Sequence, residues 1–257
     1  MDLGLKGKRA LVIGSTSGLG EGILRRLAAE GALVAATGRS TRKALRITAE
    51  LAGSRPYKLD LRDEKSVEDA IEALQNDFGG LDIIVCNSGG PPSGAIISID
   101  PEVWYSQFEI MFVNQLRIVN NFLPSMRNQG WGRILIVTSS GVKQPIPNLG
   151  ISNSIRGAQL GWGKTLANEV AQDGVTVNFC APGRIQTARV DELDLENAKK
   201  QNKTVEEIRT ASRAGIPVGR YGTVNEFADA AVFLLSSNAS YITGSVMQVD
   251  GGLIRGF

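Results

Sequence analysis

Short runs of branched apolar residues recur along the chain at Ala10–Ile13, Leu33–Thr37, Ile83–Cys86, Ile134–Val137, Val175–Phe179 and Val246–Val249. A strand with one wet face would alternate apolar with polar residues. Runs this uniform belong to strands buried on both faces. Between them the apolar positions widen to the helical period: Leu19, Ile23, Leu24 and Leu27; Val67, Ala70, Ile71 and Leu74; Ile155, Leu160, Leu166 and Val170. Gly31, Gly79 and Gly174 follow these segments and are expected to end the helices. Repeated strand–helix alternation predicts an α/β chain with a parallel sheet, doubly wound by right-handed crossovers, with helices on both faces. No linker, repeat or low-complexity stretch divides it, so one domain over residues 1–257 is expected. The rhythm breaks at residues 184–213, where a charged, helix-prone insertion (Asp191, Glu192, Lys199, Lys200, Glu206, Glu207) is expected to form a lid over a cleft.

Composition narrows the chemistry. The 257 residues include no histidine, which removes Ser-His-Asp triads, Cys-His dyads, His-ligated metals and the imidazole base. No metal site is expected. Cys86 and Cys180 each lie within an apolar run, the setting of buried free thiols rather than of a disulfide or a metal site. Lys and Arg total 28 against 26 Asp and Glu, with alternating signs, so no nucleic-acid partner is expected. No membrane span is expected from any apolar run, and Met1–Ala10 leads directly into a strand without a signal-peptide pattern. A cytoplasmic protein is the expectation.

The first strand is followed by Gly14-Ser15-Thr16-Ser17-Gly18-Leu19-Gly20 and then a helix. Glycines there permit a tight turn and a close approach of a pyrophosphate to the helix N-terminus. A Gly-Lys-Ser/Thr ending is absent, which argues against nucleoside triphosphate chemistry. After the second strand, where an acid would hold the ribose 2′-hydroxyl of NAD, the chain reads Thr37-Gly38-Arg39-Ser40. Arg39 offers a planar cation for a 2′-phosphate, so NADP(H) is preferred over NAD(H).

With these residues in place the chain resembles the short-chain dehydrogenase/reductase family over essentially its whole length, and within it the β-ketoacyl carrier-protein reductases. The glycine spacing of four then two resembles that family's cofactor loop. Asp60-Leu61 is similar to its adenine segment, Cys86-Asn87-Ser88-Gly89 to its Asn-Asn-Ala-Gly motif, and Pro182-Gly183-Arg184-Ile185-Gln186-Thr187 to its nicotinamide-side loop. The resemblance implies a single-domain Rossmann fold with a seven-stranded sheet in the order 3-2-1-4-5-6-7. It also implies cofactor contacts from Gly14 to Gly20, Arg39, Asp60, Leu61, Asn87, Gly89, Arg156, Pro182, Gly183, Ile185 and Thr187. Small residues in the segment Ser152–Ala171 (Gly157, Ala158, Gly161, Gly163) and the tail Leu253–Phe257 resemble family subunit interfaces, implying a homotetramer, with a dimer as the alternative.

At the catalytic positions the chain departs from the family. Asn114 and Ser139 match its Asn and Ser, but its Tyr and Lys fall on Ser152, 13 residues after Ser139, and Arg156. Lys164-Thr165-Leu166-Ala167 downstream keeps this register. Ser152 and Arg156 are one helical turn apart and are expected to face one cleft. Arg156 can donate to ribose hydroxyls, whereas neither residue replaces a tyrosine as proton donor near neutral pH. Lys143, four residues after Ser139, is the candidate substitute acid if buried. Tyr57, Tyr105, Tyr221 and Tyr241 do not have the required spacing; Tyr105 is expected near the cleft entrance or at an interface. These residues imply an NADP(H)-dependent oxidoreductase of small carbonyl or alcohol substrates with an altered proton path. The alternative is a dinucleotide-binding protein without ordinary redox turnover.

Overall fold

The computed structural model describes residues 1–256. Strands β1 (Arg9–Val12), β2 (Leu33–Gly38), β3 (Arg55–Lys58), β4 (Ile83–Cys86), β5 (Gly132–Val137), β6 (Val175–Pro182) and β7 (Val246–Val249) form one parallel sheet. Its order is β3-β2-β1-β4-β5-β6-β7, as the family resemblance implies. The helices are α1 (Gly18–Ala29), α2 (Thr41–Thr48), α3 (Glu64–Phe78), α4 (Pro101–Phe108), α5 (Asn114–Asn128), α6 (Gly150–Val170), α7 (Ala188–Gln201), α8 (Val205–Ala214) and α9 (Val224–Leu235).

Successive residues of the central strands feed two separate cores. Ala10, Val12, Ile83, Val85, Leu135 and Val137 pack with Ile23, Leu24 and Leu27 of α1 and Phe227, Ala231 and Leu234 of α9. Their neighbours Leu11, Ile84, Cys86, Ile134 and Ile136 pack with Val67 and Leu74 of α3, Ile118 and Phe122 of α5, and Leu166 and Val170 of α6. A period of two is present, but both phases are apolar because helices cover both faces. Cys86 and Cys180 are buried free thiols, and burial pushes both up to about 12.

The three expected helix stops all stand in left-handed backbone: Gly31 at φ +82°, Gly79 at φ +65° and Gly174 at φ +73°. Strand β3, which hydrophobicity alone does not mark, is Arg-Pro-Tyr-Lys with only Tyr57 buried. It lies at the sheet edge, where Pro56 costs no ladder bond to a further strand. Among the described residues no helix is long and apolar enough to cross a membrane.

Candidate active site

The C-terminal ends of the strands open into a cavity of about 850 Å³. At one end lies the loop after β1. A Cβ on Gly20 would sit 2.4 Å from the Gly14 carbonyl oxygen, so only glycine lets the first turn of α1 fold back on the loop. Asn87, just beyond β4, braces the loop by donating Nδ2 to the carbonyls of Ile13 at 3.0 Å and Gly14 at 3.3 Å. Ser17 caps α1 without a side-chain hydrogen bond, leaving N–H groups of the first turn facing the cavity, where an anion binds best. Gly14, Thr16, Ser17, Gly18, Leu19 and Gly20 line this end.

Ser15 does not line it. The residue is fully buried, its Oγ accepting from Thr37 N at 2.8 Å and its N donating to Thr37 O at 2.9 Å. The expected cofactor contact is instead a clasp between the loop and β2.

Beyond the loop, Gly38 lets Thr16 approach closely: a Cβ there would meet Thr16 Cγ2 at 2.6 Å. Arg39 follows, exposed on the cavity wall. Asp60 accepts from Arg62 Nε at 2.9 Å and Nη2 at 2.6 Å, and Arg62, with a smaller contribution from Arg39, holds its carboxyl below the usual range. Arg62 thus adds a second guanidinium beside Arg39 that the motif reading passed over. Its position two residues after the adenine-segment aspartate was the available signal.

The other end is built from β5, β6 and α6. Gly89, Ser139, Ser152, Arg156, Pro182, Gly183, Ile185 and Thr187 line the cavity here. Ser139 Oγ accepts from Gly141 N at 3.1 Å, which leaves its proton free to donate. Arg156, 7% exposed, donates Nη1 to the Val137 carbonyl at 2.5 Å. No described carboxylate pairs with it, and burial pushes the guanidinium down to about 10.

Two expected catalytic residues lie elsewhere. Asn114 stands behind the wall, fully buried, with Nδ2 donating to Leu61 O at 2.8 Å and Oδ1 without a partner. The wide π-helical turn Glu109–Val113 sets its position, and Gln159 Nε2 donates to Met111 O at 2.7 Å within that turn. Lys143 is exposed and points away from the cavity wall, which its neighbours Gln144 and Pro145 line. The three-residue helical turn after Ser139 carries the lysine outward, so the expectation of a buried cation or acid there is not met. Tyr105 is likewise outside the wall and 72% exposed. The wall contains no Tyr, Cys or His.

The insertion at 184–213 folds as α7 and α8, and α7 roofs the cavity. Arg189 Nη2 donates to Pro91 O at 2.8 Å, and Ser93 Oγ donates to Glu196 Oε2 at 2.7 Å, joining the roof to the loop after β4. Asp194, fully buried, accepts from Arg184 Nη1 at 2.9 Å and Tyr221 Oη at 3.0 Å and so pins α7 to the segment after β6. Leu253 and Ile254 of the C-terminal tail, expected at a subunit interface, line the cavity, while Phe257 lies outside the described residues. Among the described residues no group of three or more metal-ligating side chains converges.

The family model described as enoyl-(acyl carrier protein) reductase matches residues 13–254. The chain is 33% identical over 252 residues to the 3-oxoacyl-(acyl carrier protein) reductase of Haemophilus influenzae, covering 97% of this chain and 99% of that protein. It is 35% identical over 256 residues to nodulation protein G of Rhizobium sp. (strain N33), covering 97% and 98%. Among solved structures, L-sorbose reductase of Gluconobacter frateurii, complexed with NADPH and L-sorbose, superposes with a TM-score of 0.93 at 29% identity over all of both chains. Glycine cradle, strand order and full-length similarity agree: this chain belongs to the short-chain dehydrogenase/reductase family of NAD(P)-dependent oxidoreductases.

Proposed function

We propose that the protein is an NADP(H)-dependent carbonyl reductase, able to run in reverse on secondary alcohols, whose proton comes from water rather than from a tyrosine. The observation that carries this reading is one continuous cavity joining the glycine loop, Arg39 and the Ser139–Ser152–Arg156 wall. The related reductases named above support it. The residues present fit the dinucleotide: the uncapped first turn of α1, packed tightly on the loop because Gly20 has no Cβ, suits a pyrophosphate, and Arg39 with Arg62 suits a 2′-phosphate.

When bound, the nicotinamide supplies or accepts the hydride at the carbonyl carbon. Ser139 holds the carbonyl oxygen with Ser152 beside it on the wall, Arg156 donates to ribose hydroxyls, and the unpartnered Oδ1 of Asn114 orders a water behind the wall. The alkoxide takes its proton from solvent, since an aliphatic hydroxyl is too weak an acid. Losing general acid catalysis costs ~10²–10⁴ in rate, while holding the reactants in place contributes roughly 7–11 kcal/mol, so turnover is slow but real. The roof α7 covers the substrate end of the cavity as a lid. Gly157 and Gly161, where an added Cβ would meet nothing, and exposed Tyr105 and Phe108 support a homotetramer, with a dimer next.

Titration with NADPH and NADH, followed by absorbance changes over a panel of carbonyl compounds, tests the reading. Absence of NADPH binding would overturn it. A second reading, a dinucleotide-binding protein without redox turnover, is favoured by the wall free of Tyr, Cys and His. Tight NADPH binding with no turnover on any carbonyl would select it.

A further inference from the structure

Arg156 is a buried cation with no anion. Only 7% of it is exposed, Val137 O is its one hydrogen-bond partner among the described residues, and the rest of the guanidinium faces the cavity among Ser139 and Ser152. Leaving such a charge uncompensated is costly, because desolvation is repaid only by an opposite charge or by a full set of strong acceptors. The pyrophosphate cannot supply that charge. Its cradle lies at the end of β1, whereas Val137 ends β5, two strands away across β4, which at the usual spacing is about 10 Å. The ribose hydroxyls are neutral. Asp60 and Glu196, the acidic side chains on the wall, are already held by Arg62 and by Ser93.

We infer that the missing anion arrives with the substrate, and that Arg156 with Ser152 forms a receptor for a carboxylate one or two carbons from the reacting carbonyl, as in 2-oxo and 3-oxo carboxylic acids. The inference rests on the carbonyl-reductase reading above and names the substrate class for the same site. A carboxylate matches the planar fork of a guanidinium, which donates two parallel hydrogen bonds. A carboxylate keeps its charge from binding through product release, whereas an alkoxide exists only during the reaction and cannot pair the cation in the bound ground state. Ser152, 8% exposed and one turn before Arg156 on α6, adds a neutral donor to the same anion, and Ser139 across the wall is left for the carbonyl oxygen. The position that in relatives would hold a phenol thus becomes part of an anion site.

Calorimetric titration of the whole protein with 2-oxohexanoate, 3-oxohexanoate and their methyl esters, with and without saturating NADP+, tests this without requiring turnover. The acids are expected to bind roughly tenfold to a hundredfold more tightly than the esters, the range of a charge-assisted pair. Arg156→Met should erase that preference, and Arg156→Lys, which keeps the charge but loses the fork, should retain part of it. Equal affinity of acid and ester in the unaltered protein overturns the inference, as does a preference that survives in Arg156→Met. If Arg156→Met does not fold, loss of part of the preference in Arg156→Lys together with Ser152→Ala decides the question. Failure to take up NADP+ would overturn the reductase reading alone, because the acid–ester comparison without cofactor still reports on the anion receptor.

Discussion

The two ends of the cavity differ in how completely their polar groups are matched. Around the glycine loop nearly every group has its partner: Ser15 with Thr37, Asn87 with the carbonyls of Ile13 and Gly14, Asp60 with Arg62. Around α6 the matching is incomplete. Arg156 has no anion, and Asn114 Oδ1 behind the wall is buried without a partner. Buried polar groups are seldom left this way unless something else completes them. The first end is a finished mould set largely by backbone and by absent Cβ atoms, while the second is a set of side chains awaiting a ligand.

The largest effect should come from filling the mould. Gly20→Val places a side chain 2.4 Å from the Gly14 carbonyl, a backbone atom that cannot move aside cheaply. NADPH affinity, measured by fluorescence titration, should fall by ~100-fold or more, with ~1–3 kcal/mol of stability lost to overpacking. Unchanged affinity would show that the loop does not hold the pyrophosphate. Next is repair of the unfinished end. Ser152→Tyr with Arg156→Lys should raise the turnover of neutral ketones by ~10²–10⁴ while removing any advantage of carboxylate-bearing substrates. No gain would mean that the phenol is not what limits the rate. Arg39→Ala should weaken NADPH by roughly tenfold to a hundredfold and leave NADH nearly unaffected, because only the 2′-phosphate meets that charge. A uniform loss for both cofactors would remove Arg39 from the specificity argument.

How much of each end is legible in sequence follows from the same contrast. Glycines that end helices or make room declare themselves, because few other residues take their place: Gly31, Gly79 and Gly174 are all left-handed where the helical period stops. Uniformly apolar strands are equally plain. Strand β3 is not, because at the edge only Tyr57 needs burial and Pro56 mimics a loop. Side chains in loops mislead for a related reason. Ser15 reads like its loop neighbours but turns inward to Thr37, and Lys143 turns outward on the short helical turn after Ser139. Spacing places Ser152 and Arg156 on one wall. It does not say that no carboxylate would stand opposite, since that depends on every element that packs against them.

The smallest effect, and the one that bears most directly on the contrast, is on stability. Burial lowers Arg156 to about 10, below the ordinary guanidinium range, so the native state releases its proton before the unfolded state does. Above about 10 the unfolded chain keeps a proton that the native state has released, so the contribution of Arg156 to stability rises with pH; at neutral pH its charge is a net cost. Arg156→Met removes that cost, but it orphans the Val137 carbonyl, which takes back part of the gain. Urea denaturation at pH 7 should therefore find the ligand-free variant more stable by about 1 kcal/mol. That advantage should shrink as the pH passes 10, where the native wild-type guanidinium begins to lose its charge. Saturating 2-oxohexanoate should reverse the order at pH 7, since only the wild type gains from an anion. A less stable variant under every condition would mean that Arg156 is already satisfied, and the two ends of the cavity would then be equally complete.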